Sequence, residues 1–180
     1  MKEYRLYLKF PTIEDKENVL EFKQEFLSSG QNMAGVAGLD SANSYEEWLV
    51  KVEEGEKPSS IEEFVPATMF LTYRKQDNKL IGMIQVRHRL NKSLFLSGGH
   101  IGDCVRPSEQ GNGYATEQIG LALNRCKEFG IEKVLLTCKK WNEASARTIV
   151  KNGGVLENEV MHNGELIQRY WIELTNKQEI

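Results

Sequence analysis

One stretch constrains the fold of this chain more than any other: VRPSEQGNGYATEQIG, Val105 to Gly120. Upstream, GGHIGDCVRP reads as a strand that ends at Pro107, which has no N–H to offer a ladder. Downstream, Ala115, Ile119, Ala122, Cys126 and Phe129 recur at helical spacing until Gly130. Asn112-Gly113 in isolation is a hairpin signal. A hairpin needs a strand on both sides, however, and here one flank is helical. The loop therefore joins a strand to a helix N-terminus, where unpartnered backbone N–H groups and the helix dipole favour an anion. Glycines at 111 and 113 let the backbone approach that anion with no Cβ in the way. Several charge-assisted hydrogen bonds of roughly 1.5–3 kcal/mol each would hold a pyrophosphate without a basic surface.

That local device matters because the chain as a whole is acidic. Its 180 residues carry a net charge of −3, with 40% hydrophobic and 27% charged residues. These values fit one soluble domain spanning 1–180 and give no general attraction to nucleic acid or anionic membrane. The start, MKEYRLYLKF, alternates charged and apolar residues, and no segment approaches the ~20 apolar residues of a membrane span. A cytoplasmic protein is expected. Cys104, Cys126 and Cys138 lack CxxC spacing and complete no zinc pattern with nearby histidines, so reduced core thiols and no metal are expected.

The remaining pattern predicts a mixed α/β or α+β sheet. LYLKF reads as a strand; Thr12 then caps a helix whose apolar face is Val19, Leu20, Phe22, Phe26 and Leu27, stopped by Gly30. A long loop, SGQNMAGVAGLDSAN, ends at the capping box Ser44-x-x-Glu47 of a helix bearing Trp48, Leu49 and Val52. ATMFLTYRK and KLIGMIQVRHR flank Gln76-Asp77-Asn78 as an antiparallel hairpin. After the glycine loop and its helix come a buried strand KVLLTC, a helix from about Asn142 to Asn152, and a hairpin of GVLENEV with LIQRYWIEL around the type I′ signal Asn163-Gly164.

Three phosphate-binding readings of the loop compete. A P-loop needs a Gly-Lys-Ser/Thr triplet, which is absent from the sequence. A Rossmann fingerprint begins at Gly111 and Gly113 but meets Thr116 in place of the third glycine, and the next strand ends in Thr137-Cys138-Lys139-Lys140 where an acid belongs. The third reading is a resemblance. Gln110-x-x-Gly113-x-Ala115 after IGDCVRP is similar to the R/Q-x-x-G-x-G/A motif of the GCN5-related N-acetyltransferase (GNAT) superfamily, and WNEASARTIVKNGGVLE resembles that family's second conserved segment. The order of elements from Leu6 agrees, and the motif-bearing part is Gly99 to Glu157. Within the superfamily the chain is most similar to a group of predicted bacterial acetyltransferases of unknown substrate.

The resemblance implies a mostly antiparallel central sheet flanked by helices, with a parallel strand pair splayed to admit acetyl-CoA as cosubstrate. It places the backbone of Cys104, Val105 and Arg106 against the acyl-pantetheine, as strand addition to an exposed edge. An N–H of Val105 or a neighbour would polarise the thioester carbonyl. Gln110, Gly111, Asn112, Gly113, Tyr114 and Ala115 would take the pyrophosphate, Asn142 the pantetheine amide, and Ser145 a polar contact near the phosphates. Asn142 reads equally as a plain helix N-cap.

The implied activity is acetyl transfer to a primary amine, of a small molecule or a protein. A lysine-type amine, reference pKa ~10.4, needs a base more than an α-amine near ~7.7–8.0 does. His100 and Asp103 are the candidate bases, and strand alternation points them to opposite faces. For His100 the competing reading is a local hydrogen bond. Where many members have a tyrosine as acid for the departing thiolate, this sequence has Ile149, leaving Tyr170 as a substitute or no dedicated acid at all. A covalent route through Cys104 is disfavoured, since His100 lies ~13 Å away along one extended strand. GQNMAGVAGLD, MHNGEL and the Arg87-His88-Arg89 run are candidates for the acceptor side, the last read alternatively as a solvated strand end. By analogy to the fold, a homodimer through the C-terminal strands is expected. The alternative function, suggested by the missing tyrosine, is a non-catalytic acyl-CoA-binding module or sensor.

Overall fold

A computed structural model describes residues 3–174. Its strands form two antiparallel half-sheets. The first is a meander of β1 (Leu6–Lys9), β2 (Ala67–Arg74), β3 (Leu80–Arg87) and β4 (Ile101–Val105), paired in that order. The second places β7 (Glu165–Glu173) between β5 (Lys133–Lys139) and β6 (Val155–His162). Asn163 and Gly164 both have positive φ at the β6–β7 turn, as the type I′ signal requires.

Five α-helices among the described residues complete the fold: α1 (Lys16–Ser29), α2 (Tyr45–Gly55), the short α3 (Lys92–Leu96), α4 (Tyr114–Glu128) and α5 (Glu143–Lys151). Helix α1 begins later than expected because Thr12 opens a 3-10 turn, Ile13–Asp15, in which the Asp15 carboxylate accepts both the N–H and the hydroxyl of Thr12. Val19, Phe22 and Phe26 are buried as expected, whereas Leu20 and Leu27 are exposed. The i, i+3, i+7 row faces the sheet, and each of these leucines sits one residue, about 100°, past that row. Similarly, Phe129 at the end of α4 leaves the core stripe and lies against His88, ring centroids 4.6 Å apart.

Two main cores sandwich the sheet. One packs α1, α2 and the 31–43 loop on Met69, Leu71, Tyr73, Met83 and Cys104. Trp48 is fully buried there, and its Nε1 donates to the Val36 carbonyl at 2.8 Å, which anchors the loop. The other packs α4 and α5 on both half-sheets, joining Ile84 and Ile101 of the first to Val134, Leu136 and Tyr170 of the second. All three cysteines are free and buried. Among the described residues, no helix is long and apolar enough to cross a membrane, and no group of histidines, cysteines and acids is disposed to hold a metal ion.

Candidate active site

The two half-sheets meet at one point and separate from there. At the meeting point the His100 N–H donates to the Leu135 carbonyl (2.8 Å), and the Leu135 N–H donates to His100 Nδ1 (2.9 Å). Beyond it, β4 runs to Asp103–Val105 and β5 to Cys138, with Asn142 just past its end, and these residues line a cleft of about 460 Å³ and a second cavity of about 310 Å³ between the strands. Asp103, Asn142 and Ser145 line both spaces.

The glycine loop closes the far end of the larger cleft. Gly111 (φ 81°) and Gly113 (φ 78°) adopt the left-handed conformation that glycine permits, and Gly113 is the N-cap of α4. Gln110 donates from Nε2 to the Val105 carbonyl (3.1 Å) and to Gln31 Oε1 (2.9 Å), tying the loop to the strand. Asn112 braces the loop by donating to the Glu109 carbonyl (3.0 Å). The loop's own acid, Glu109, is held by Lys79 (2.8 Å) and Arg74 (2.9 Å), which keep its carboxyl below the usual range. The Tyr114 side chain turns away into a core with Leu6, Ile81 and Val105, so Tyr114 can offer a ligand only its backbone. Opposite the loop, Arg147 and Lys151 of α5 line the same cleft. Sequence analysis missed these two cations, whose helical spacing puts them on one face of α5.

The β3–β4 register decides which strand groups face the cleft. The Arg106 N–H donates to the Ile81 carbonyl (2.8 Å), and its own carbonyl accepts from Glu109 N–H (2.9 Å). By the alternation of an antiparallel ladder, Cys104, paired with Met83, also points its backbone at β3, while Asp103 and Val105 point theirs away. Of Cys104, Val105 and Arg106, the three expected at the acyl-pantetheine, Val105 turns its backbone away from β3 toward the cleft, and Cys104 lines that cleft as well. The Arg106 guanidinium is buried on α1, bridged to Glu21 (2.8 Å) and Glu25 (3.3 Å). The Cys104 thiol sits in the α1–α2 core, where burial first and Asp103 second push its titration far up, away from a nucleophilic thiolate.

Of the two candidate bases, His100 is 7% exposed and spends Nδ1 on Leu135; burial, then the nearby Arg87 charge, lower its pKa to about 4. Asp103 has its pKa raised to about 6 by burial, opposed by a hydrogen bond from Gln118 Nε2 (3.3 Å). Gln118 is fully buried on α4, also within reach of the Met83 and Cys104 carbonyls, and its Oε1 has no partner. A polar residue inside a helical stripe ordinarily reads as surface, so the sequence carried no signal for it. On the β5 side, Asn142 caps α5 by accepting Ser145 N–H through Oδ1 (3.1 Å), which leaves its Nδ2 group to donate into the cleft it lines. Capping and ligand contact are therefore compatible.

The second cavity is lined by Ala34 and Gly35 of the 31–43 loop and by Arg87, Gly102 and Asp103. Arg87 is the member of its run that reaches it. His88 instead bonds Thr68 Oγ1 (2.8 Å), and Arg89 donates to the carbonyls of Ile61, Glu62 and Phe64. Ile149 is buried in the core, and the Tyr170 hydroxyl donates to Gln168 Oε1 (2.9 Å), with neither residue lining the two spaces.

A family model described as an acetyltransferase (GNAT) domain matches residues 5–155. No curated protein matches in sequence. Among solved structures, the chain is similar to a GNAT-family acetyltransferase from Bacillus anthracis (20% identity, TM-score 0.63, 96% of each chain covered). It is also similar to the dodecameric spermidine N-acetyltransferase from Vibrio cholerae in an intermediate state (18% identity, TM-score 0.62, 94% of each chain). A third is the microcin C7 self-immunity acetyltransferase in complex with acetyl-CoA and AMP (15% identity, TM-score 0.63, covering 94% of this chain and 93% of that one). At these identities the likeness is one of fold.

Proposed function

This chain belongs to the GNAT acetyltransferase family, and we propose that it transfers an acetyl group directly from acetyl-CoA to a primary amine. The observation that carries the reading is the position of Asp103, which lines both the cleft ending at the glycine loop and the second cavity. On this reading Gly111 to Ala115, with Arg147 and Lys151 opposite, take the phosphates, and Asn142 and Ser145 contact the pantetheine arm. The acetyl-CoA held by the microcin C7 self-immunity acetyltransferase supports acetyl-CoA as the cosubstrate.

Asp103 accepts the ammonium proton, and the amine nitrogen then attacks the thioester carbonyl. The Val105 N–H, which points away from β3, stabilises the charge developing on the carbonyl oxygen. The new C–N bond forms as C–S breaks, the second nitrogen proton passes to solvent or to the departing sulfur, and CoA leaves as a thiol or thiolate whose reference pKa of ~8.5 tolerates the lack of a dedicated acid. A carboxyl near pH 6 is ionised at neutrality yet more basic than an ordinary one, and it matches an α-amine better than a lysine. His100, engaged on both N–H and Nδ1 with Leu135, supports the hydrogen-bonding reading of that residue over the base. The buried Cys104 thiol supports direct transfer over a covalent route.

Thiol release from acetyl-CoA against a panel of small and peptide amines tests the activity, and transfer to none of them at any pH from 6 to 9 would refute it. The second reading, a non-catalytic acyl-CoA-binding module, is favoured by Ile149 at the family's tyrosine position. Single-turnover transfer to any amine excludes it. The expected homodimer would form along β6, an outer strand with Val155, Leu156 and Met161 exposed; a monomeric mass by light scattering would refute that assembly.

A further inference from the structure

Among the described residues, several buried or half-buried arginines have an acid beside them. Arg106 has Glu21 and Glu25, Arg169 has Glu157, and Arg74 has Asp77 and Glu109. Arg87 differs. Its Nη1 donates to the carbonyls of Gly98 (3.1 Å) and Gly99 (3.0 Å), and among the described residues it has no carboxylate partner. Burial alone pushes the guanidinium down from its ordinary value, with no acid to offset the cost.

The two carbonyls fix the plane of the guanidinium and leave its other edge toward the second cavity. Gly102 keeps that edge clear: a Cβ there would stand 3.0 Å from Arg87 Nη2 and 3.0 Å from Gly35 Cα. The same cavity contains Asp103 and the backbone of Ala34 and Gly35. Lys139, also on its wall, is bonded to Glu165 at 2.9 Å, so the unmatched charge belongs to Arg87.

We propose that Arg87 binds an anionic group of the acceptor, so that the substrate is an amine that also carries a carboxylate or a phosphate, with its nitrogen presented to Asp103. The inference rests on the acetyltransferase reading for the amine and on Arg87 for the anion. A half-buried guanidinium with a free planar edge suits bidentate recognition of either group. A polyamine would set a second cation against Arg87 in a site where solvent screens poorly, and it is disfavoured for that reason.

Initial rates with wild-type protein and acetyl-CoA would compare free amino acids, 2-aminoethyl phosphate, the corresponding amino-acid amides and spermidine. The anionic amines are expected to exceed the amides in kcat/KM by roughly tenfold to a hundredfold, the range of a lost charge-assisted hydrogen bond. Which of the carboxylate and phosphate series leads identifies the source of the anion. Arg87→Gln should erase the preference, and Arg87→Lys should retain part of it. Calorimetric titration of the CoA-loaded protein with N-acetyl amino acids and their amides reads the same preference without turnover. Amides or spermidine used as well as the anionic amines, or equal binding of acids and amides, would overturn the proposal. Preferential binding of the acids with no thiol release from any amine would uphold the anion site and refute the transferase reading instead.

Discussion

His100 and Leu135 form a reciprocal pair: the His100 N–H donates to the Leu135 carbonyl at 2.8 Å, and the Leu135 N–H returns to the imidazole Nδ1 at 2.9 Å. A side-chain nitrogen here does the work of a backbone acceptor and pins the two half-sheets together where the cleft begins. With Nδ1 accepting, the neutral ring carries its proton on Nε2, and protonation of Nδ1 would break the junction.

The pH dependence of stability should therefore carry a His100 contribution. Its folded-state pKa of about 4 lies below the ordinary 6.5, so the unfolded chain takes up the proton first. The stabilisation is present above 6.5 and is lost as pH falls toward 4, at up to about 1.4 kcal/mol per pH unit. Urea unfolding of wild type and His100→Asn at pH 7.5 and 5 checks this: the variant should be less stable by roughly 1–3 kcal/mol at pH 7.5 and should lose less on acidification. An equal acid loss in both proteins would mean that His100 is not the group responsible.

Asp103→Asn should lower kcat/KM by roughly 10²–10⁴ while leaving acetyl-CoA affinity unchanged, because the amide keeps the shape and removes the base. In wild type, kcat/KM should rise through an acid limb near pH 6, the value to which burial raises this carboxyl. A limb that persists unchanged in the asparagine variant would assign it to another group.

The Gln118 amide acts on that same limb. Its Nε2 donates to Asp103 Oδ2 at 3.3 Å and favours the ionised carboxylate, so Gln118→Leu should move the limb to higher pH. Saturating rates above the new limb should approach wild type, which separates a shift in titration from a damaged fold. No displacement of the limb would show that the contact does not tune the base.

The resemblance sets Ile149 where many family members carry a tyrosine, but its 1% exposure puts it in the core shared by α4, α5 and both half-sheets. Ile149→Tyr should not raise kcat. It should lower stability by about 1–3 kcal/mol through overpacking, measured by thermal unfolding. A gain in kcat would show that the hydroxyl reaches the leaving thiolate after all.

The glycine loop was legible because its signals are local: a proline ends the strand, two glycines take positive φ, and an apolar stripe starts the helix. Helix α3, five residues long, is too short for periodicity to show. Which edge of β4 faces the cleft was not legible, because β3–β4 register sets it, and register turns the backbones of Cys104 and Arg106 toward β3. Gln118 was hidden for a related reason, and so was the choice of Arg87 from the Arg87-His88-Arg89 run. Each owes its role to a neighbour far along the chain, Asp103 for one and the Gly98–Gly99 carbonyls for the other.

On the proposed function, the cleft between β4 and β5 holds acetyl-CoA by its phosphates and its pantetheine arm together. Calorimetric titration of wild type and Gly113→Asp with acetyl-CoA, desulfo-CoA, ADP and NAD tests it most directly. At Gly113 a Cβ meets only Arg5 Nη2 at 3.8 Å, so the aspartate should disturb the site through its charge and the φ of 78°, not through a clash with the core. Wild type should bind acetyl-CoA and desulfo-CoA much more tightly than ADP or NAD, and the variant, still folded, should lose acetyl-CoA. ADP or NAD binding in place of acetyl-CoA, or unchanged acetyl-CoA affinity in the folded variant, would contradict it.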